Sequence, residues 1–340
     1  MKFVDLFCGA GGFSQGFVAA GHELIYGVDN WSPAKATFSS YFGKRRFKKI
    51  NLGKTKIKDI ISLLKSKNKI DCIIGGPPCQ GFSSMGNQKQ GDPRNLLLIR
   101  FAKIVKEIQP DVFLLENVSG VSGKNFNHIT KKLKEIFKSA GYTNTLSQIL
   151  DAQNYGVPQR RKRFFMIGVK SKNVKLSFPE PVKKEIKVGD VINDLSRKKV
   201  DFMNHVAMKH NPIVKGRLRF IPEGGNLDPS KLPKKYLYGS RSDFKLNKVK
   251  RFSHIYKRLS RKEVSGTIVP GHNAFPIHPT EDRSLTVREA ARIQTLSDRI
   301  EFFGTRQDQC ILVGNAVPSN LAFHLGKHIT NLINSNAIQA

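Results

Sequence analysis

Three short segments of this 340-residue chain carry side chains suited to covalent or acid–base chemistry. The first, Asp71-Cys-Ile-Ile-Gly-Gly-Pro-Pro-Cys-Gln-Gly-Phe-Ser83, puts Cys79 just beyond an apolar run, after two stiffening prolines and before a flexible Gly/Ser/Gln stretch. A thiolate is the strongest nucleophile the chain can offer near neutrality, and a helix N-terminus or nearby cations lower a thiol's pKa from about 8.5. The other cysteines read as packing: Cys72 lies inside the apolar run, Cys8 in a glycine turn and Cys310 ahead of Ile-Leu-Val. The second segment, Asp111-Val-Phe-Leu-Leu-Glu-Asn-Val118, ends a buried run in a carboxylate. Apolar neighbours would raise the pKa of Glu116 and make it a proton donor near pH 7; a solvated glutamate at a strand end is the competing reading. The third, Gln153-Asn-Tyr-Gly-Val-Pro-Gln-Arg-Arg-Lys-Arg-Phe-Phe-Met-Ile-Gly168, brings a basic cluster into an apolar strand. Strand alternation gives Arg161 and Arg163 one face and Arg160 and Lys162 the other.

A fourth segment suits a ligand. Asp5-Leu-Phe-Cys-Gly-Ala-Gly-Gly-Phe-Ser-Gln-Gly16 reads as a strand, a glycine turn and a helix start, where a ligand can approach the backbone closely. It departs from the dinucleotide fingerprint, because GxGxxG counted from Gly9 meets Ser14 at its last glycine. Asp29 ends the next apolar run, where a carboxylate can accept from both ribose hydroxyls, so an adenosine-containing ligand fits. Trp31 next to it is either a neighbour of such a ligand or an ordinary half-buried aromatic.

The elements that must position these residues alternate short apolar runs with longer amphipathic stretches over the first 170 residues, the pattern of an α/β, mostly parallel sheet. Strands are expected at Lys2–Phe7, Glu23–Val28, Asp71–Gly75, Val112–Glu116 and Arg163–Val169. Helices are expected at Gly12–Ala20, Leu96–Ile108 and Asn127–Ala140, with others at Leu285–Leu296 and Leu321–Ile333. Phe7, Gly75 and Glu116 then fall at carboxyl ends of strands, where open α/β sheets bind ligands. From about residue 171 the texture turns irregular and basic: 171–282 carries a net +13 of the chain's +32, and 283–340 only +2. Such an excess favours a polyanionic partner, nucleic acid above all, over a Lys-rich host background. Four cysteines without CxxC spacing give no zinc site or disulfide framework, and neither a signal peptide nor a membrane span is legible. A reducing, cytoplasmic setting is the natural expectation.

In order, DLFCGAGGFSQGF, GVDNW, IIGGPPCQGFS, GDPRNLL, LLENV, QNYGVPQRRKRFFMIG, a variable region, RSLTVREAARIQTLSD and VGNAVPSNLA resemble the cytosine-5 DNA methyltransferases of bacterial restriction-modification systems, from residue 3 to about residue 330. The resemblance implies a Rossmann-like catalytic domain over 1–182 and 309–340. It also implies a smaller, irregular target-recognition domain over 183–308, which includes the supporting RSLTVREAARIQ segment. S-adenosylmethionine, leaving as S-adenosylhomocysteine, would be held by Phe7, Gly9, Gly11, Gly12, Asp29, Asn30, Trp31, Pro78, Leu97, Asn315 and Val317. At the adenine amino group the family usually has Asp before an aliphatic residue; this chain has Asn51-Leu52, which can accept there without a charge. Cys79 would be the nucleophile, Glu116 the acid, Asn117 its structural partner, and Arg161 and Arg163 the polar clamp on the base. Gln80, Ser83, Ser84, Thr267 and His272 would meet DNA, and the loop Gln80–Asn95 would form a lid over a flipped cytosine. No metal is expected. The implied setting is a monomer on double-stranded DNA in the cytoplasm, protecting host DNA beside a cognate restriction endonuclease.

Competing classes account for fewer of these residues. A nicotinamide dehydrogenase shares the glycine turn and Asp29 but leaves Pro-Pro-Cys-Gln and Glu-Asn-Val unexplained. A zinc deaminase needs Pro-Cys-x-x-Cys, and here Pro78-Cys79 is followed by Gln-Gly-Phe. An RNA (tRNA) cytosine-5 methyltransferase shares the catalytic domain, but the Cys-Phe-Thr signature of its known form is absent. A catalytically dead DNA-binding regulator is disfavoured by the presence of Cys79, Glu116 and Arg163.

Overall fold

A computed structural model of the chain describes residues 1–64, 69–78, 96–123, 127–171, 173–195, 202–237, 256–271 and 274–337. Its centre is a seven-stranded sheet in the order β3-β2-β1-β4-β5-β7-β6. The strands are β1 (Lys2–Leu6), β2 (Glu23–Asp29), β3 (Phe47–Lys49), β4 (Cys72–Gly75), β5 (Val112–Val118), β6 (Asn144–Asp151) and β7 (Lys162–Val169). The first five run parallel, and β7 is antiparallel to both neighbours. The mostly parallel α/β expectation holds. The central strands β4 and β5 open on unbroken apolar runs, Cys-Ile-Ile and Val-Phe-Leu-Leu, because helices cover both of their faces.

Around the sheet lie α1 (Gly12–Ala19), α2 (Ser32–Phe42), α3 (Ile57–Leu64), α4 (Leu96–Ile108) and α5 (Asn127–Ser139). Two apolar clusters form, one with Leu98, Phe101 and Leu133 of α4 and α5, the other with Phe13 and Phe17 of α1. The latter also takes Leu321 and Leu325 from the closing helix α10 (Ser319–Ala337). Past residue 171 come α6 (Val188–Ile192), α7 (Pro212–Leu218), α8 (Val287–Ile293) and α9 (Arg306–Asn315). Among the described residues of 171–282 the helices are short and the β-structure is limited to isolated bridges, in keeping with the irregular texture of that stretch.

Three differences have local causes. The strand expected to stop at Glu116 runs on to Val118, because Val118 pairs with Arg163 of β7. The helix expected over Leu285–Leu296 is shorter: Thr286 caps its start reciprocally with Glu289, and Thr295 at φ 57 ends it. Phe7 leaves β1 at φ 62, a costly left-handed conformation for a non-glycine residue that opens the glycine turn. Among the described residues no helix is long and apolar enough to cross a membrane.

Candidate active site

The carboxyl ends of β1, β2, β4 and β5 converge on one cavity of about 1720 Å³, also walled by residues 267–271 and 314–317. Of the residues singled out from the sequence, Phe7, Gly9, Gly12, Asp29, Asn30, Trp31, Asn51, Leu52, Pro78, Leu97, Glu116, Asn117, Arg161, Arg163, Thr267, Asn315 and Val317 all line it. Gly11 stands back from it: a Cβ there would meet Phe42 and Phe38 at 2.8–2.9 Å, so this glycine serves the packing of α2. Cys79, Gln80, Ser83, Ser84 and His272, with the loop Gln80–Asn95, lie outside the described residues.

On the β1–β2 side the Asp29 carboxylate accepts from the Gly9 amide (3.0 Å), the Asn30 amide (2.7 Å) and the Trp31 amide (3.0 Å), which binds the glycine turn to the end of β2. Burial raises its pKa against these three donors. Gly12 is the tightest point of the turn, since a Cβ there would stand 2.3 Å from the Val317 carbonyl oxygen. That approach brings the 314–317 segment against the start of α1.

On the β4–β5 side Glu116 is buried, and Arg163 Nε lies 3.2 Å from its Oε1. Arg163 pairs across the ladder with Val118, so it reaches Glu116 diagonally on the same face of the sheet. Burial is the larger influence on Glu116 and raises its pKa; Arg163 and then Arg161 pull it back without cancelling the rise. A carboxyl held this way keeps its proton to higher pH than a solvated one and can donate it. Asn117 faces the other way and donates to the Pro77 carbonyl (2.9 Å), tying β5 to the segment that continues β4.

Gly76 leaves room for the acid, because a Cβ there would come within 2.8 Å of Glu116 Oε2. Gly76→Ala is therefore expected to push the carboxyl aside and cut turnover by about 10²-fold while the melting temperature moves little, as displacements near 1 Å do to catalytic groups. Steady-state turnover beside thermal melting checks this, and unchanged turnover would contradict it.

Arg161 is spent differently from Arg163. Its Nη1 donates to the Ile268 carbonyl (3.0 Å) and its Nη2 to the Gly314 carbonyl (2.8 Å), while its Nε has no partner among the described residues. Gln159, which the sequence reading passed over, works beside it: its amide donates to Gln294 (2.9 Å) and accepts from the Ile268 amide (2.9 Å). Thr267 turns its hydroxyl onto the Arg160 carbonyl at 2.8 Å. The strand entering β7 thus holds residues 267 and 268 from both sides. A buried glutamine and arginine ahead of an apolar strand are a sequence signal for such a brace, though only tertiary structure names the partners.

A model of the C-5 cytosine-specific DNA methylases matches residues 1–331. The chain belongs to that family. The Type II methyltransferase M1.HphI of Haemophilus parahaemolyticus is 33% identical over 332 residues, covering 95% of this chain and 84% of that protein. M.MthTI of Methanothermobacter thermautotrophicus is also 33% identical, with 97% of each chain covered. A solved structure titled as an E. coli prophage DNA modification methyltransferase superposes with a TM-score of 0.78 at 26% identity, over 98% of this chain and 99% of that one. S. pombe Dnmt2 methyltransferase, at 16% identity and a TM-score of 0.59, shares the fold over 99% of each chain. The Rossmann-like methyltransferase fold follows from these likenesses.

Members of this methylase family use S-adenosylmethionine, and the residues present fit it. At Gly9, with φ 52, a Cβ would meet nothing within 4 Å, so the turn is open to a close ligand. One buried group beneath the turn was not singled out from the sequence. Asp5 on β1 accepts from Ser14 Oγ at 2.6 Å, and burial pushes its pKa up to about 7 despite that bond. An unfolded aspartate titrates near 3.9, so between about pH 4 and pH 7 the folded methylase holds a proton that the unfolded chain has lost. Stability should then fall as pH rises through that window, by up to about 1.4 kcal/mol per pH unit. Asp5→Asn is expected to flatten the decline of melting temperature between about pH 4 and pH 7; an unaltered slope would contradict a protonated Asp5.

Proposed function

We propose that the protein methylates carbon 5 of cytosine in double-stranded DNA, using S-adenosylmethionine. The observation that carries this reading is the Glu116–Arg163 pair, buried at the end of β5 beside the segment that leads to Cys79 and in one cavity with Asp29 and the glycine turn.

Cytosine C5 is a poor nucleophile, and the ring must first be made electron-rich. The Cys79 thiolate forms a bond to C6 while Glu116 gives its proton to N3, so the displaced ring electrons collect at C5. Arg163 holds the Glu116 carboxyl in line and balances the charge left when the proton departs. S-adenosylmethionine, held by Gly9, Gly12 and Asp29, supplies an electrophilic methyl group. When the C5 proton leaves to water or hydroxide, the Cys79–C6 bond breaks, the thiolate is released and N3 returns its proton to Glu116. Stacking covers C6 in a duplex, so the cytosine rotates out of the helix at a cost of a few kcal/mol. In this reading residues 183–308 hold the opened DNA, with phosphate contacts from their Lys and Arg side chains, and the product protects host DNA from a restriction endonuclease. The brace formed by Gln159, Arg161 and Thr267 supports such a division of labour by tying residues 267 and 268 of that segment to the strand that carries Arg163.

Bisulfite sequencing of DNA from cells expressing the chain is the direct test. Protected cytosines at one recurring sequence are expected. Methyl transfer to transfer RNA with none to DNA would overturn the DNA reading.

A further inference from the structure

The sheet order says which end of the cavity holds which part of the cofactor. Glu116 and Pro78 place the reacting atoms over β4 and β5, and moving outward from β4 the strands are β1, β2 and β3. A cofactor held by Gly9 and Asp29 with its methyl at β4 must lay its purine beyond β2, against the turn that follows β3. Asn51 lines the cavity there, together with Ile50, Leu52, Gly53 and Lys54.

That amide has one orientation. Asn51 Oδ1 lies 3.1 Å from the amide nitrogens of both Gly53 and Lys54. Two converging N–H donors require an acceptor between them, so the oxygen points into the turn with both lone pairs engaged, and the NH₂ group points away. Nδ2 makes no hydrogen bond among the described residues. The turn is also pinned: the Asn51 carbonyl accepts from the Lys54 and Thr55 amides, and Arg100 of α4 donates from Nε to the Leu52 carbonyl and from Nη2 to the Thr55 carbonyl. The oxygen that the sequence offers to an adenine amino group is therefore occupied.

We infer that Asn51 presents a donor to the purine and reads its ring acceptor N1, not its exocyclic 6-amino group. This rests on the cofactor reading above. The consequence is a cofactor selectivity specific to this chain: loss of the 6-amino group should be tolerated, and loss of N1 should not.

Titration calorimetry of the full chain with S-adenosylhomocysteine, its 1-deazaadenine analogue and its 6-deaminated purine analogue tests this without turnover. The 1-deaza compound is expected to bind about tenfold more weakly than the parent, the effect of one neutral hydrogen bond, and the 6-deaminated compound within about twofold of it. Asn51→Asp keeps an oxygen for the two turn amides but turns an acceptor toward the ligand, so the ranking of the two analogues should reverse. Equal losses for both analogues in the wild-type protein would overturn the inference. So would a tenfold 1-deaza penalty that survives in Asn51→Asp, because a backbone amide would then be the reader of N1. If S-adenosylhomocysteine itself fails to bind, the cofactor reading falls and the inference falls with it.

Discussion

Cys79→Ala is expected to abolish methyl transfer, with a loss on the order of 10⁴-fold or more, while S-adenosylhomocysteine still binds with near-normal affinity. The size follows from the route: without addition at C6 nothing makes C5 electron-rich, and removing a nucleophile that acts as a unit with its acid costs nearly the whole rate enhancement. Cofactor affinity should survive because Gly9, Gly12 and Asp29, which fit the cofactor, follow β1 and β2, whereas Cys79 belongs to the segment that follows β4. Scintillation counting of labelled methyl groups on duplex DNA, beside calorimetry with S-adenosylhomocysteine, separates the two effects. Residual transfer within a hundredfold of wild type would contradict the assignment of Cys79 as nucleophile.

Glu116→Gln is expected to lower turnover by about 10²–10⁴-fold, the usual range for losing a positioned general acid. Its pH dependence is the sharper signature. Burial raises the Glu116 pKa more than Arg163 and Arg161 lower it, so the carboxyl is protonated at low pH and loses its proton as pH rises through that raised value. The wild-type rate should fall on that alkaline side, and the variant, with no proton to lose there, should not show that limb. Because the substitution also leaves the Arg163 guanidinium without its buried partner, some destabilisation should accompany it, and thermal melting reports this separately. Near-full turnover in Glu116→Gln would remove the proton-donor role from this residue.

The parts of the fold legible from sequence are those whose pattern is dictated by burial on both faces. β4 opens on Cys-Ile-Ile and β5 on Val-Phe-Leu-Leu without a polar break, and α4 falls at Leu96–Ile108 as its apolar spacing requires. Elements with mixed surroundings were harder to read. β6 is an edge strand whose Ser147, Gln148 and Ile149 are exposed, so it lacks the apolar run of the inner strands. Helix α2 carries Ser, Pro, Lys and Thr with little apolar periodicity, yet buries Ala34, Thr37 and Phe38. Helix α9 does carry a local signal, the Thr305 and Asp308 capping box.

The site divides in the same way. Glu116 and Asp29 could be singled out because a carboxylate ending an apolar run is unusual wherever it lies. The arginines share a face as strand alternation requires, but their division of labour was not legible: Arg163 reaches the acid, whereas Arg161 spends its guanidinium on two backbone carbonyls more than a hundred residues away. The orientation of Asn51 was likewise beyond the sequence, because it depends on which atoms its turn consumes. The charge excess stands apart from these residues. The Glu116 site draws on Arg161 and Arg163 among the chain's 58 basic side chains, so the net +13 of residues 171–282 lies apart from the acid–base pair.

In the proposed reaction Cys79 adds to C6 of an extruded cytosine while Glu116 protonates the ring. A duplex carrying 5-fluorocytosine at the methylated position tests it directly, because fluorine cannot leave as the C5 proton does and the addition product cannot collapse. Incubated with S-adenosylmethionine and this DNA, the protein should form a denaturation-resistant complex, and mass spectrometry should place the DNA on Cys79. Absence of any covalent complex on a duplex whose unfluorinated counterpart is methylated, or attachment through another residue, would contradict the account.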